Sequence, residues 1–273
     1  MKNKTYLSAP LPFQGQKRKF IKSFVKAIEN KPAPVYVDLF GGSGLLSHNA
    51  KAIHPEAKVV YNDYDNYSAR LNAIPDTNSI LADLRELNKG INADARLNDE
   101  QRLRVLKRIK QERGYVDYIT LSGSLLFSMN YVKTLDELTK ATMYNKVKQS
   151  DYTADEYLSG VEVVSTDYKV VYNQYKDVPG VVFLIDPPYL STDCSSYESY
   201  WKLKDYLDVM LCLYNASYFY FTSNKSNIIE LCEWIETRTG GMNPFNGATT
   251  ETMNTSASYN STYTDMMLYK YIE

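Results

Sequence analysis

Histidine is almost missing from this chain: His48 and His54 are the only two in 273 residues. The three cysteines, Cys194, Cys212 and Cys232, show no CxxC spacing. A site built on soft ligands such as zinc is therefore close to excluded, and no metal is expected. A disulfide framework is excluded as well, which points to a reducing interior. No apolar run approaches the ~20 residues of a membrane span, so no membrane partner is expected. The opening MKNKTYLSAPLPFQGQKRKF lacks the apolar stretch of a secretory signal. An excess of either charge is missing too. Lys and Arg number 31 against 32 Asp and Glu, a net of −1, so no global field draws in nucleic acid and any such binding needs a local basic patch.

What is present is an ordinary globular composition, 44% hydrophobic and 23% charged, which can support a real core. Tyrosine is the exception, with 25 copies. Most should fill half-buried strands, although tyrosine can also stack on bases. Short apolar runs lead repeatedly into polar or glycine-rich loops. Val35 to Val37 leads into DLFGGSG, Val59 to Tyr61 into NDYD, Val161 to Val164 into STDY, VVFLI into DPPY, and YFYF into TSN. Asp265 to Ile272 reads as a last strand, and Leu203 to Tyr214 and Asn227 to Thr237 read as helices. This is the pattern of a doubly wound α/β fold, a mostly parallel sheet covered on both faces with function at the strands' carboxyl ends.

Residues 88–160 break that rhythm and read as an insert between 1–87 and 161–273. Within it, NDEQRLRVLKRIKQERG predicts a basic helix opened by an Asn98–Gln101 capping box, stopped at Gly114, with Leu103, Leu106 and Ile109 as its apolar stripe.

Three motifs can carry chemistry. In Asp38-Leu39-Phe40-Gly41-Gly42-Ser43-Gly44 the glycines permit close approach to a ligand at a helix amino end, or simply a tight turn. The third glycine of a dinucleotide fingerprint is absent, its place falling on Ser47. Asp63, with Asp65 as a competitor, ends the next strand at the distance where an acid reaches a ribose diol. No Walker lysine pattern is present, which disfavours phosphoryl transfer. The sharpest motif is Asp186-Pro187-Pro188-Tyr189. The prolines stiffen the turn, so that a carboxylate, a rigid carbonyl and an aromatic ring are presented together. An exocyclic aromatic amine needs such a set, because its lone pair is delocalised into the ring. The Asp186 carboxylate and the Pro187 carbonyl can take its two protons and favour a pyramidal nitrogen, while Tyr189 stacks on the base.

With these residues the chain resembles the Dam-like, D12-class DNA adenine-N6 methyltransferases of the α order. That resemblance implies a Rossmann-like methyltransferase with an inserted recognition lobe. It implies S-adenosylmethionine as cofactor, S-adenosylhomocysteine as product, and a flipped adenine in double-stranded DNA as target. Phe13-Gln14-Gly15-Gln16-Lys17 is similar to the family's Trp-Ala-Gly-Gly-Lys cofactor element, with Phe13 in the Trp place and only Gly15 and Lys17 unchanged. Asp38, Phe40, Gly42 and Gly44 take the cofactor-loop places, and Asp63 the ribose acid. Asp167 and Tyr168 take the pair that contacts the cofactor adenine, with Asp83 a weaker candidate, and Asp186 also faces the cofactor. Catalysis falls to Asp186, Pro187, Pro188 and Tyr189.

The insert is least similar to the family. Its DNA-facing candidates are Ser128, Asn130, Tyr131, Lys133, Tyr144, Asn145, Lys146 and Lys148, and the basic helix could grip phosphates. The resemblance further implies a monomer or weak dimer in the cytoplasm of a bacterium or archaeon, or encoded by a phage, with a cognate restriction endonuclease as the partner such enzymes can have. The rival readings are an RNA or protein N-methyltransferase and a catalytically silent DNA-binding subunit.

Overall fold

The structure is a computed structural model that describes residues 4–127, 130–190, 201–258 and 261–272. It divides into two compact units, one of residues 1–7, 17–64 and 158–273, the other of residues 8–16 and 65–157.

The first unit is built on seven strands: β1 (Val35–Asp38), β2 (Lys58–Asn62), β3 (Glu162–Val164), β4 (Val181–Ile185), β5 (Ser217–Ser223), β6 (Thr249–Ser258) and β7 (Ser261–Lys270). Their order is β3-β2-β1-β4-β5-β7-β6. The first five are parallel, and β7 returns antiparallel to β5 and pairs with β6. This is the mostly parallel, Rossmann-like sheet expected from the strand-loop rhythm. Every residue of β4 and β5 is buried, as a central strand covered on both faces requires.

Alternation along the strands divides the core. Val37, Phe183, Ile185, Tyr218 and Tyr220 pack with Tyr206, Val209 and Met210 of helix Leu203–Leu211. On the interleaved positions, Phe219 and Phe221 receive Phe24 and Phe20, with ring centroids 5.0 and 5.8 Å apart. Helix Ile21–Asn30 is thereby fixed to the sheet, since each such aromatic pair adds about 0.5–1.5 kcal/mol beyond its buried area. The expected helix ends shift slightly, to Leu203–Leu211 and Ile228–Thr239. Strand β6, with the sequence TTETMNTSAS, has no apolar signature and pairs with β7 along its length.

The second unit is helical. Ile80, Leu81, Leu84, Leu97, Val105, Leu106, Ile109, Leu121, Leu125 and Leu138 form its core. Helix Asp99–Lys110 opens with the expected capping box: Asn98 accepts from the Gln101 amide, and the Gln101 side chain accepts from the Asn98 amide, both at 2.9 Å. Its apolar stripe differs from the expected one. Leu103 is 64% exposed, and Val105 takes the buried place beside Leu106 and Ile109. Spacing from Leu106 and Ile109 allows either phase, and the packing partners choose Val105.

A buried ion pair fixes the rest. Arg70 Nε reaches both carboxylate oxygens of Asp117 at 3.0 Å, while Nη2 donates to the Pro12 carbonyl at 2.7 Å and to Thr120 Oγ1 at 3.1 Å. Asp117 also caps helix Tyr118–Leu125 through the Thr120 amide. Segment 8–16 is held in this unit by that Pro12 bond and by Tyr67, whose hydroxyl meets the amide and carbonyl of Leu11.

Candidate active site

In a doubly wound sheet, ligands bind at the carboxyl ends of the strands where the order reverses. Here that point lies between β1, which neighbours β2, and β4, which neighbours β5. Register fixes the neighbourhood: Asp38 stands opposite Leu184, and the Leu39 amide donates to the Leu184 carbonyl at 3.0 Å. The glycine loop after β1 and the Asp186-Pro187-Pro188-Tyr189 turn after β4 therefore lie side by side.

The loop after β1 is shaped by crowding. A Cβ on Gly41 would fall 2.1 Å from the Tyr61 ring, so only glycine fits there. Tyr61 in turn directs its hydroxyl at the Gly42 carbonyl (2.7 Å) and Asp63 Oδ1 (2.9 Å). Gly44 adopts a left-handed φ of 71° and heads helix Leu45–Ile53. Asn62, which the sequence reading passed over, ties three loops together. Its amide nitrogen donates to the carbonyls of Leu39 and Thr166, both at 3.0 Å, and its oxygen accepts from the Thr166 amide at 3.1 Å. Asp63 is buried beside it, whereas Asp65 is exposed.

Buried polar atoms usually find partners. Among the described residues four side-chain atoms do not, and three of them sit at this edge: Asp38 Oδ1, the Tyr168 hydroxyl after β3, and Thr222 Oγ1 near the end of β5. Asp38 Oδ2 is taken by the Ser47 hydroxyl at 2.7 Å, so the residue in the place of the missing third glycine holds this carboxylate. Burial pushes the Asp38 carboxyl up to about 7, against the lowering effect of Ser47, and the nearby negative Asp186 adds to the rise. The Phe40 amide also favours the carboxylate, yet Oδ1 closes no hydrogen bond of good geometry.

At the end of β4, Pro187 and Pro188 are buried and Tyr189 is half-buried, its carbonyl 3.4 Å from the Tyr206 hydroxyl. Burial raises Asp186 above the usual carboxylate range, and Lys17 opposes the rise. The Lys17 ammonium is ion-paired with Asp186 Oδ2 and lies 5.6 Å from the centre of the Tyr189 ring. Phe40 packs on Tyr168, centroids 4.8 Å apart, and on Trp201 at 5.8 Å, an aromatic wall beside the glycine loop. Trp201 carried no motif signal, and only the fold brings it to Phe40. Asp167 is exposed and caps helix Tyr168–Tyr175 by accepting from the Lys169 amide.

The remaining candidates lie in the second unit. Phe13 packs edge-on against Tyr67, centroids 5.7 Å apart. Gly15 takes a φ of 83°. Asp83 is paired with Arg108. Of the DNA-facing candidates, Asn130, Tyr131 and Lys133 are exposed, and Tyr144 packs against Phe127. Asn145 bonds to the Ile91 carbonyl and the Asn88 amide group, Lys146 pairs with Asp94, and Lys148 bonds to Ser150 and the Asp151 carbonyl. Ser128 lies outside the described residues.

A protein from Haemophilus influenzae named "Putative methyltransferase" is 38% identical over 279 residues, covering 98% of this chain and 94% of that protein. Residues 13–212 match the family described as D12 class N6 adenine-specific DNA methyltransferase. That span holds the glycine loop, Asp63 and the Asp186–Tyr189 turn, and the chain belongs to this family of DNA adenine methyltransferases.

Proposed function

We propose that the protein transfers a methyl group from S-adenosylmethionine to N6 of an adenine flipped out of double-stranded DNA. The observation that carries this reading is the pairing, at one switch point, of a proline-braced carboxylate with a buried acceptor, Asp38 Oδ1, on which no well-formed hydrogen bond closes.

The residues suit the cofactor. Asp38 Oδ1, deeply buried and unmatched, favours a ligand bearing positive charge, and Asp63 is placed for a diol. Phe40, Tyr168 and Trp201 offer an apolar face for its base, with Gly42 and Gly44 leaving backbone close at hand. Bound there, the cofactor would supply a methyl on a positively charged sulfur, a reactive donor in its own right. The protein's task is then positioning and polarisation. Asp186 accepts one N–H of the target amine and concentrates electron density on nitrogen, Tyr189 stacks on the base, and Pro187 and Pro188 hold both in place. The methyl would leave the sulfur as the S–C bond breaks and the N–C bond forms, and the nitrogen that gains it would give up a proton towards the Asp186 carboxylate. Extracting the base from the duplex costs a few kcal/mol, which the stacking and the carboxylate contact offset in part.

The second unit would supply sequence selection through Asn130, Tyr131 and Lys133, its exposed candidates. This reading places the protein with cellular or phage DNA in the cytoplasm, alone or beside a cognate restriction endonuclease. The test is transfer of labelled methyl to duplex DNA, with RNA as the competitor, followed by long-read sequencing of DNA from expressing cells. N6-methyladenine in a fixed sequence context is the expected result, and label in RNA alone would overturn the reading.

A further inference from the structure

Lys17 reaches out of the amino-terminal segment to the Asp186 carboxylate. Its backbone is anchored: the Phe20 amide donates to the Lys17 carbonyl at 2.9 Å, and Phe20 and Phe24 fix the following helix to β5. Its side chain is nearly buried and carries the ammonium to Asp186 Oδ2. There it stands 5.6 Å from the Tyr189 ring centre and 5.8 Å from that of Phe221. An N–H donor on this carboxylate, above this tyrosine, is what the target amine must itself become. We propose that Lys17 is a placeholder for the substrate amine, a positioning residue whose ammonium occupies the amine's seat on Asp186 in the free protein and leaves it when the base arrives. This rests on the function proposed above and deepens it.

Two physical arguments support the assignment. First, Asp186 is a poor place for an unpaired charge. Burial favours its neutral form, and Asp265, Asp38 and Tyr220 also face it, of which the two carboxylates add repulsion when ionised. A protonated Asp186 would offer an O–H rather than an acceptor and could not polarise an amine. Lys17 opposes this and keeps the acceptor ready. Second, the lysine holds Oδ2, so an amine that takes this oxygen over the Tyr189 ring displaces it. The four-carbon stem is flexible enough to withdraw while the anchored backbone stays still.

The experiment follows the Asp186 carboxyl by carbon NMR in the free protein across pH, with the resonance assigned through Asp186→Asn. Lys17→Met should raise its midpoint by ~1–3 pH units. Lys17→Arg should restore it, and Lys17→Gln serves as the second neutral variant if the Met variant fails to fold. An unshifted midpoint in a folded neutral variant overturns the proposal. Steady-state methyl transfer gives the second readout. The acid limb of kcat/KM should move upward with the NMR midpoint in Lys17→Met. At the alkaline plateau the KM for adenine-containing duplex should fall, because the competing ammonium is gone. A KM that rises at every pH, with no moved limb, marks a merely structural lysine and overturns the placeholder role. If wild-type protein methylates no duplex DNA while the NMR shift is present, the proposed function is what fails.

Discussion

The two units treat buried polarity in opposite ways. In the helical unit the buried ion pair closes on itself: Arg70 meets both oxygens of Asp117, Thr120 and the Pro12 carbonyl complete the set, and Arg102 Nε is the one orphan there among the described residues. In the sheet unit the orphans among the described residues number three, Asp38 Oδ1, the Tyr168 hydroxyl and Thr222 Oγ1, all on residues at or near the strands' carboxyl ends. An unmatched buried polar group costs about 1–3 kcal/mol. Under the proposed function the three at one edge are held for a ligand, whereas the satisfied pair of the helical unit uses polarity to define its own shape. The contrast separates chemistry from architecture within one chain.

The largest effect that would break this division is catalytic. Asp186→Ala should lower methyl transfer at least ~10³-fold while calorimetry shows cofactor binding largely kept. Near-native turnover by that variant removes the role given to Asp186. The architectural counterpart is Asp117→Ala, which strands the buried Arg70 charge. A stability loss of about 3–5 kcal/mol is expected in urea unfolding. A loss within 0.5 kcal/mol would show that the pair does not organise its unit.

How far the sequence foretold this division differs between the units. Continuous apolar runs ending in polar or glycine-rich loops made β1, β2, β4 and β5 legible, because burial on both faces leaves an unambiguous pattern, whereas β3 is an exposed edge strand read from its valines alone. The Asp186–Tyr189 turn was legible because prolines at a strand end state their geometry locally. Trp201 and Asn62 were not, since a ring and an amide acquire roles only when the sheet brings distant loops together. Strand β6 was hidden by its polar composition, and the Arg70–Asp117 pair spans 47 positions that no local periodicity connects. In the insert, Asn145, Lys146 and Lys148 looked like candidates for DNA, yet each has internal partners.

Two smaller effects sharpen the comparison inside the sheet unit. Asp63→Ala should weaken cofactor binding roughly 10- to 100-fold, the value of about 1.5–3 kcal/mol for hydrogen bonds to a charged group. An unchanged constant by titration calorimetry would remove the ribose assignment. His48 offers a test of satisfied polarity. Its Nδ1 accepts from the Leu158 amide at 3.2 Å and its Nε2 meets the Lys4 carbonyl at 2.8 Å, so the ring is neutral, and burial holds it below its ordinary value of 6.5. A folded value below the unfolded one means that the unfolded chain binds the extra proton first. The stability His48 contributes is therefore complete above pH 6.5 and declines as pH falls below it. His48→Gln should flatten that decline in melting temperature between pH 7 and pH 5, and an identical slope would assign the acid sensitivity elsewhere.

The smallest effect concerns the helical unit, where sequence phase and packing disagreed. Leu103 and Val105 lie two positions apart on helix Asp99–Lys110 and face different surroundings, Leu103 largely in solvent and Val105 fully buried among Leu106, Ile109 and their neighbours. If packing rather than apolar spacing sets the stripe, Leu103→Gln should change unfolding free energy by no more than about 0.5 kcal/mol. Val105→Ala removes two buried methyl groups, and at ~0.8 kcal/mol for each it should cost about 1.5 kcal/mol plus any cavity left behind. Urea titrations of the two variants give the sign directly. A larger loss for Leu103 would mean that this leucine packs in the folded protein and that the stripe runs in the phase its spacing with Leu106 and Ile109 suggested.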